Sequence, residues 1–431
     1  MYKMLKIRNF LGRSSQLRSF TSQSKPQLNE ISLLGQNFAR DDYTNITDKI
    51  CSYLGMNIYL DQNHPLSLVR QRIVNYVYKT FTKSRGNPVF SVFDRLSPVV
   101  STNQNFDSLL IPKDHPSRSK SDCYYVNRDY LLRAHMTAHQ NELLRAGLNN
   151  FLMIGDVYRR DEIDRTHFPV FHQIDAVRLK TKDELFETKA LSIFEEGANE
   201  AFTSDQGKQA CHSLEAVKLM EYELKETLVG LAKTLFGDEI QYRWVDVYFP
   251  FTQPSWELEV HYDNNWMEIL GCGIMQQRIL SNAGVTEKIG WAFGLGLERI
   301  AMCLYQIPDI RLFWSKDTGF LNQFKTADIN SKITYIPVSQ YPQCKNDLSF
   351  WLPENGDFSS NDFYDIARSV GEDLVEQIEL VDDFKHPKTG KRSHCYRITY
   401  RHMEKTLTQA DVNLVHKKIE EAVKNVGAVV R

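Results

Sequence analysis

Five strand-length runs crowd the middle of the chain: Phe151–Tyr158, Gln173–Leu179, Tyr242–Phe249, Trp256–Tyr262 and Trp266–Leu270. They lack the regular intervening helices that a parallel sheet requires. That order limits the fold to a mixed or antiparallel sheet flanked by helices. In Trp256-Glu257-Leu258-Glu259-Val260 both glutamates fall on one face, as in an antiparallel strand solvated on one side. Helical spacing occurs at Leu66–Phe81, where Leu66, Val69, Ile73, Val77 and Phe81 recur at three- and four-residue steps. It recurs at Tyr130–Ala146 and Glu215–Phe236. Residues 26–335 are expected to form one large domain, and the class is α+β.

A proline-bearing stretch near Tyr335–Pro342 reads as a linker. Residues 341–431 then give a strand at Asp347–Leu352, a helix at Asn361–Val370 and strands at Leu374–Val381 and His394–Arg401. A helix at Thr408–Val426 follows, with Thr408 as N-cap and Gly427 as its stop, and a short strand at Ala428–Arg431. The order β-α-β-β-α-β is the ferredoxin-like arrangement common among RNA-binding modules. Its stretch 385–405 holds Lys385, Lys388, Lys391, Arg392, Arg397, Arg401 and Lys405 against Glu404 alone, with Phe384, Tyr396 and Tyr400 interleaved. Strand-borne aromatics beside cations suit stacking of unpaired bases, unless alternation turns the tyrosines into the core.

A chain of 431 residues exceeds one ordinary core. Its net charge of −2 offers no global attraction to nucleic acid, so RNA contact must be local. Seven scattered cysteines without a CxxC pair argue against a disulfide framework and a structural zinc. His135 and His139 stand four apart on a predicted helix, yet no HExxH glutamate accompanies them, so no metal ligand is assigned. Residues 1–25 differ from the rest. No acid precedes Glu30, while Lys3, Lys6, Arg8, Arg13, Arg18 and Lys25 are spread among serines and apolar residues. This reads as a mitochondrial transit peptide, which places the mature protein in the matrix; the alternative is a basic tail.

Neither a GxxxxGK[ST] loop nor a strand-linked GxGxxG is present, so a nucleotide would have to be held by arginines on a sheet. Two segments meet that need. Val157-Tyr158-Arg159-Arg160-Asp161-Glu162 leaves a strand for a polar loop that returns at Phe168-Pro169-Val170-Phe171-His172-Gln173. Gly290-Trp291-Ala292-Phe293-Gly294-Leu295-Gly296-Leu297-Glu298-Arg299 is a glycine-bearing strand running into a helix. Arginine grips phosphate with paired hydrogen bonds while staying charged.

These segments resemble motifs 2 and 3 of class II aminoacyl-tRNA synthetases. Asn105–Leu109, Asp114–Arg118, Thr166–Phe168, Phe171–Gln173, Phe249–Thr252 and Leu270–Gly273 resemble the phenylalanyl-tRNA synthetase signature. The resemblance runs from about residue 85 to the C-terminus. It implies an antiparallel-sheet catalytic domain followed by an anticodon-binding module, fused as in the mitochondrial single-chain form and acting as a monomer. By the same resemblance, Arg159 binds the α-phosphate and Arg299 the γ-phosphate of ATP supplied with Mg2+. Thr166, His167, Phe168 and Glu268 complete the nucleotide site, with Phe168 stacked on adenine. Phenylalanine is held by His135, Thr137, Ala138, His139, Gln140, Gln173, Ile174 and Asp175, with Trp291, Ala292 and Phe293 around its ring. Lys391, Arg392, Arg397 and Arg401 are expected on tRNA(Phe), no segment is left for an editing domain, and no membrane is involved.

Two positions depart from the family pattern. Gln253 stands where a magnesium-binding glutamate is usual, and Trp291 where phenylalanine is usual. Two rival readings exist: a synthetase-derived RNA-binding protein without catalysis, and a ligase that adenylates another acid without tRNA. Intact Arg159 and Arg299 oppose the first, and the appended module opposes the second.

Overall fold

The computed structural model describes residues 30–187, 190–195, 207–316, 318–337, 341–353, 358–402 and 405–431; the leader 1–25 lies outside the described residues. The elements that build the larger unit are α1 (Pro65–Thr80), β1 (Ser91–Phe93), β2 (Asn150–Tyr158), β3 (Val170–Thr181), α2 (Leu214–Phe236), β4 (Tyr242–Phe249), β5 (Thr252–Tyr262), β6 (Asn265–Met275), β7 (Lys288–Gly296) and α3 (Leu297–Tyr305). The strands form one seven-stranded sheet in the order β1-β2-β3-β7-β6-β5-β4. Only the short β1 runs parallel to its neighbour; every other pairing is antiparallel.

α1 and α2 cover one face of this sheet. The spacing in α1 does what it predicts: Leu66, Val69, Ile73 and Val77 are buried. α2 contributes Met220, Leu224, Leu228 and Leu231 to the same core. Each such side chain contributes roughly 1.5–3 kcal/mol relative to exposure. α1 starts where Pro65 presets its first turn and the His64 imidazole accepts the Leu66 N–H at 3.2 Å. The other His64 nitrogen meets the Phe313 carbonyl at 2.8 Å, and burial pushes its pKa down to about 4.

The expected helix Tyr130–Ala146 is not one element. Tyr130–Leu132 is a strand paired with Val99–Ser101, Met136–His139 is a 3₁₀ turn, and only Gln140–Arg145 is α-helical. His135 between them is extended, with φ −161°. Tertiary pairing overrides the local spacing here. The strand expected to end at Leu270 continues to Met275 through Gly271 and Gly273. There the glycines are packing sites: a Cβ on Gly273 would lie 2.5 Å from the Pro254 carbonyl, and one on Gly271 2.9 Å from the Phe249 ring.

The second unit comprises β8 (Cys344–Trp351), α4 (Ser360–Gly371), β9 (Val375–Lys385), β10 (Arg392–Tyr400), α5 (Gln409–Lys424) and β11 (Val429–Val430). Its sheet order, β9-β10-β8-β11, is that of the ferredoxin-like fold. Thr408 caps α5 as expected, accepting the Asp411 N–H at 3.2 Å, and Gly427 beyond the helix has φ +84°. The unit packs on the loop that follows β2. Arg160 reaches Asp365 at 2.6 Å and Asp362 at 2.8 Å, both on α4, and the Tyr124 hydroxyl donates to Asp365 at 2.7 Å. Ile163 of that loop enters the second unit's apolar cluster, and its carbonyl accepts the Ile378 N–H at 2.9 Å.

Candidate active site

A cavity of about 790 Å³ opens on the face of the seven-stranded sheet opposite α2. Strand parity decides what enters it. On β3, Gln173 and Asp175 point in, while Ile174 lies in the core below. On β7, Ala292 and Gly294 sit on the cavity side. A Cβ on Gly294 would lie 2.8 Å from the Asp175 carboxylate, so glycine at this position is what leaves room for that group.

Asp175 is only 5% exposed. The Thr137 hydroxyl donates to its Oδ2 at 2.6 Å, and its Oδ1 has no partner among the described residues. Burial pushes its pKa up to about 6, against the opposing pull of Thr137 and the Arg159 guanidinium. An orphaned, buried carboxylate oxygen aimed into a cavity fits a cationic ligand group. Gln173 is turned by its side-chain carbonyl, which accepts the Met136 N–H at 3.2 Å. His135 and Gln140 also line the cavity. The His135 imidazole meets the Asn105 carbonyl at 3.1 Å, and burial lowers its pKa to about 3, so it is neutral near pH 7.

Arg159 directly follows β2 and lines the cavity. Its Nε donates to the Ala134 carbonyl at 2.8 Å, and its guanidinium lies 5.2 Å from the centre of the Phe171 ring. Arg299 of α3 lies outside the cavity lining but meets Glu268, which is on it, through the carboxylate at 3.1 Å and the carbonyl at 3.0 Å. Glu257 and Glu268 both face the cavity. Burial and the negative charges of Glu268 and Glu259 raise the Glu257 carboxyl. Glu257 and Glu259 share one partly exposed strand face, as alternation predicts; Glu257 lines the cavity and Glu259 pairs with Arg243.

Several expected residues lie elsewhere. Phe168 packs against Tyr53 and Trp314, with both ring centres 5.6 Å away, and is absent from the cavity lining. Phe171, also outside the cavity lining, shares the strand face of Gln173 and Asp175 and lies beside the Arg159 guanidinium. Trp291 is wholly buried on the α2 side, donating to Glu223 at 3.0 Å. Phe293 borders the cavity, but its ring stacks on Trp291 at 6.0 Å within that core. Strand alternation thus sets Ala292 on the cavity face and Trp291 and Phe293 on the core face. Ala138 and Ile174 are core residues, and His139 is held between Arg133 and Glu142 at 3.0 and 2.7 Å. Thr166 and His167 are gathered around Asp164 in the loop after β2, outside the cavity.

The aromatic wall comes from a segment whose role was not anticipated. Phe249 and Phe251 flank Pro250 between β4 and β5, with parallel rings 5.6 Å apart at 2°. Both line the cavity, and Phe249 rests on the bare backbone of Gly271. Two phenylalanines held apart by a proline at a strand junction were the available signal.

In the second unit the cations are partly committed. Arg392 pairs with Asp383 and Arg397 with Asp347, both at the surface, and Lys391 is exposed beside them. Arg401 instead forms an ion pair at 2.9 Å with the fully buried Glu376 and keeps about a third of its side chain exposed. Tyr396 and Tyr400 are buried, so neither offers a stacking face. A half-buried cluster of Trp351, Phe384 and His386 does, with the Arg431 guanidinium 5.4 Å from the Trp351 ring.

Both units match known protein families. The family model for the class II core domain (F) of tRNA synthetases matches residues 53–208 and 212–324, and that for the ferredoxin-fold anticodon binding domain matches residues 339–431. A Drosophila melanogaster protein named probable mitochondrial phenylalanine–tRNA ligase is 60% identical over 425 residues, which span 95% of this chain and 93% of that protein. The mitochondrial phenylalanine–tRNA ligase of Mus musculus is 54% identical, spanning 91% of this chain and 86% of its own. That of Saccharomyces cerevisiae is 38% identical, spanning 87% and 89%.

Proposed function

The chain belongs to the class II tRNA synthetases, joined to a ferredoxin-fold anticodon-binding domain, and on that premise we propose that it is a phenylalanine–tRNA ligase of the mitochondrial matrix. The observation that carries this reading is the juxtaposition in one cavity of the orphaned Asp175 carboxylate, the Phe249/Phe251 wall and Arg159. These fit, in turn, an ammonium group, an aromatic ring and a phosphate.

A phenylalanine carboxylate oxygen attacks the α-phosphorus of ATP, and the bond to the bridging oxygen breaks to release pyrophosphate. Arg159 neutralises charge on the α-phosphate, Arg299 exchanges Glu268 for the outgoing phosphates, and Phe171 carries adenine. Positioning and electrostatics suffice, so no side-chain nucleophile is required. A terminal ribose hydroxyl of tRNA then attacks the adenylate carbonyl and AMP leaves. Mg2+ commonly takes one or two carboxylates plus substrate phosphates, and Glu257 and Glu268, which both face the cavity, would hold it. Bound there, it would supply neutralisation of phosphate charge. The working form in this proposal is a monomer; the presence of catalytic core and tRNA module in one chain supports it.

Pyrophosphate exchange with each of the twenty amino acids tests the reading: phenylalanine should lead, tyrosine should follow measurably, and silence with all would refute it. An apolar pocket rejects an added hydroxyl only weakly, by a factor of about 100 in a comparable case. Ala292→Gly should deepen the pocket and admit para-substituted phenylalanines; an unchanged substrate range would remove Ala292 from the ring's surroundings.

For the second unit, Trp351→Ala with Phe384→Ala should lower tRNA charging while leaving pyrophosphate exchange intact. Base stacking on an aromatic side chain contributes about 1–3 kcal/mol per base, so charging at low tRNA concentration should fall roughly tenfold or more. An equal fall in both assays would assign these aromatics to the fold instead.

A further inference from the structure

His172 and Glu298 form a buried pair between the two segments that carry the site. His172 lies on β3 between Phe171 and Gln173 but points away from the cavity, and Glu298 lies in the first turn of α3. They are 1% and 3% exposed. Both carboxylate oxygens of Glu298 serve this one residue: Oε1 meets the His172 Nδ1 at 2.6 Å, and Oε2 accepts the His172 backbone N–H at 2.9 Å. The His172 ring is fixed from its other sides by Tyr59, 5.1 Å away, and by Trp314, stacked at 5.7 Å. Its Nε2 has no hydrogen-bond partner among the described residues.

A buried carboxylate is a poor device for stability, since apolar replacements of similar size are often neutral or better. What two oxygens on one residue supply is direction. They fix the rotation of α3 about its axis at its first turn, and the next residue is Arg299. β3 cannot yield in response, because it is paired along nine positions to β2 on one side and nine to β7 on the other. α3 is held at that end by its continuation from β7 and by this clamp. We propose that Glu298 and His172 are positioning residues that set the reach of Arg299 toward the nucleotide phosphates. The proposal rests on the reading of Arg299 as a phosphate ligand.

Glu298→Gln keeps size and burial but removes the charge and replaces one of the two accepting oxygens with an amide donor. Its pyrophosphate exchange should show a kcat at least tenfold lower and a raised KM for ATP. Phenylalanine binding, measured directly without ATP, should stay unchanged, because Gln173 and Asp175 sit on the strand that does not move. Glu298→Asp, which retains the charge at a shorter reach, should recover part of the loss. In an Arg299→Ala background Glu298→Gln should cost nothing further, as expected for residues acting through one group. If both losses multiply, or phenylalanine binding weakens equally, the clamp is structural and the proposal fails. If Arg299→Ala itself leaves exchange intact, the phosphate role fails first, and the two failures are told apart by that single variant. Should Glu298→Gln not fold, the same cycle run with His172→Asn, which keeps a donor near Nδ1, decides the matter.

Discussion

Arg159→Ala is expected to lower pyrophosphate exchange by a factor of about 100 to 1,000, the loss typical of one oxyanion donor, or about 2.7–4 kcal/mol. The reason lies in how the residue is held. Its Nε is engaged by the Ala134 carbonyl and its plane lies near the Phe171 ring, so the guanidinium is oriented before any nucleotide arrives. A group positioned in advance loses little on reaction, and its removal is felt chiefly in kcat. Lysine in its place should not recover the activity, because an ammonium cannot both donate to the carbonyl and present a paired face to phosphate. Arg299 differs. Its side chain is about half exposed and it already pairs with Glu268, so ATP replaces one partner with another. Arg299→Ala should therefore raise the KM for ATP along with its effect on kcat. Exchange within threefold of the parent in Arg159→Ala would remove that residue from the chemistry.

Much of this was legible in the sequence, and the misreadings share a cause. The glycine-bearing strand leading to Arg299 and the strand leading to Arg159 stood out in the sequence as two segments, but the phosphate roles given to their arginines came from the resemblance to class II synthetases, since an arginine pair on a strand alone fits a surface salt bridge as well. The β-α-β-β-α-β order was legible from spacing and caps, as Thr408 and Gly427 illustrate. What sequence spacing does not supply is the parity of a strand relative to a particular face. Phe168 and Phe171 are equally aromatic and three residues apart, yet the strand begins between them and only Phe171 shares a face with Asp175. Trp291, Ala292 and Phe293 divide in the same way, since adjacent strand residues alternate between faces: Trp291 is wholly buried, while Ala292 and Phe293 border the cavity. Arg401 illustrates a second limit: its partner Glu376 is buried by the tertiary fold and is not marked as such by its neighbours in sequence. The docking of α4 on Arg160 joins residues some 200 positions apart, beyond any local pattern.

Asp175→Asn separates stability from function. The carboxyl's pKa is raised from 3.8 to about 6, chiefly by burial. A raised acid binds its proton more tightly in the folded chain, so this residue's favourable contribution is complete below pH 4 and is lost as pH rises through about 6. Above that the ligand-free protein carries a buried negative charge at a cost of about 3 kcal/mol, the value of roughly two pKa units. Asparagine removes the charge and keeps an oxygen to accept from Thr137. The variant should therefore melt higher than the parent at pH 7.5 and equally at pH 4. Phenylalanine should restore the order, because its ammonium needs the carboxylate: affinity in the variant should fall about a hundredfold or more, comparable to breaking a buried pair at 3–5 kcal/mol. In the parent, phenylalanine affinity should drop as pH falls below 6, and binding near that pH should release a proton, detectable as a buffer-dependent calorimetric enthalpy. A parent affinity flat from pH 5 to 7 would show that Asp175 does not hold the ammonium, whatever its variant does to stability.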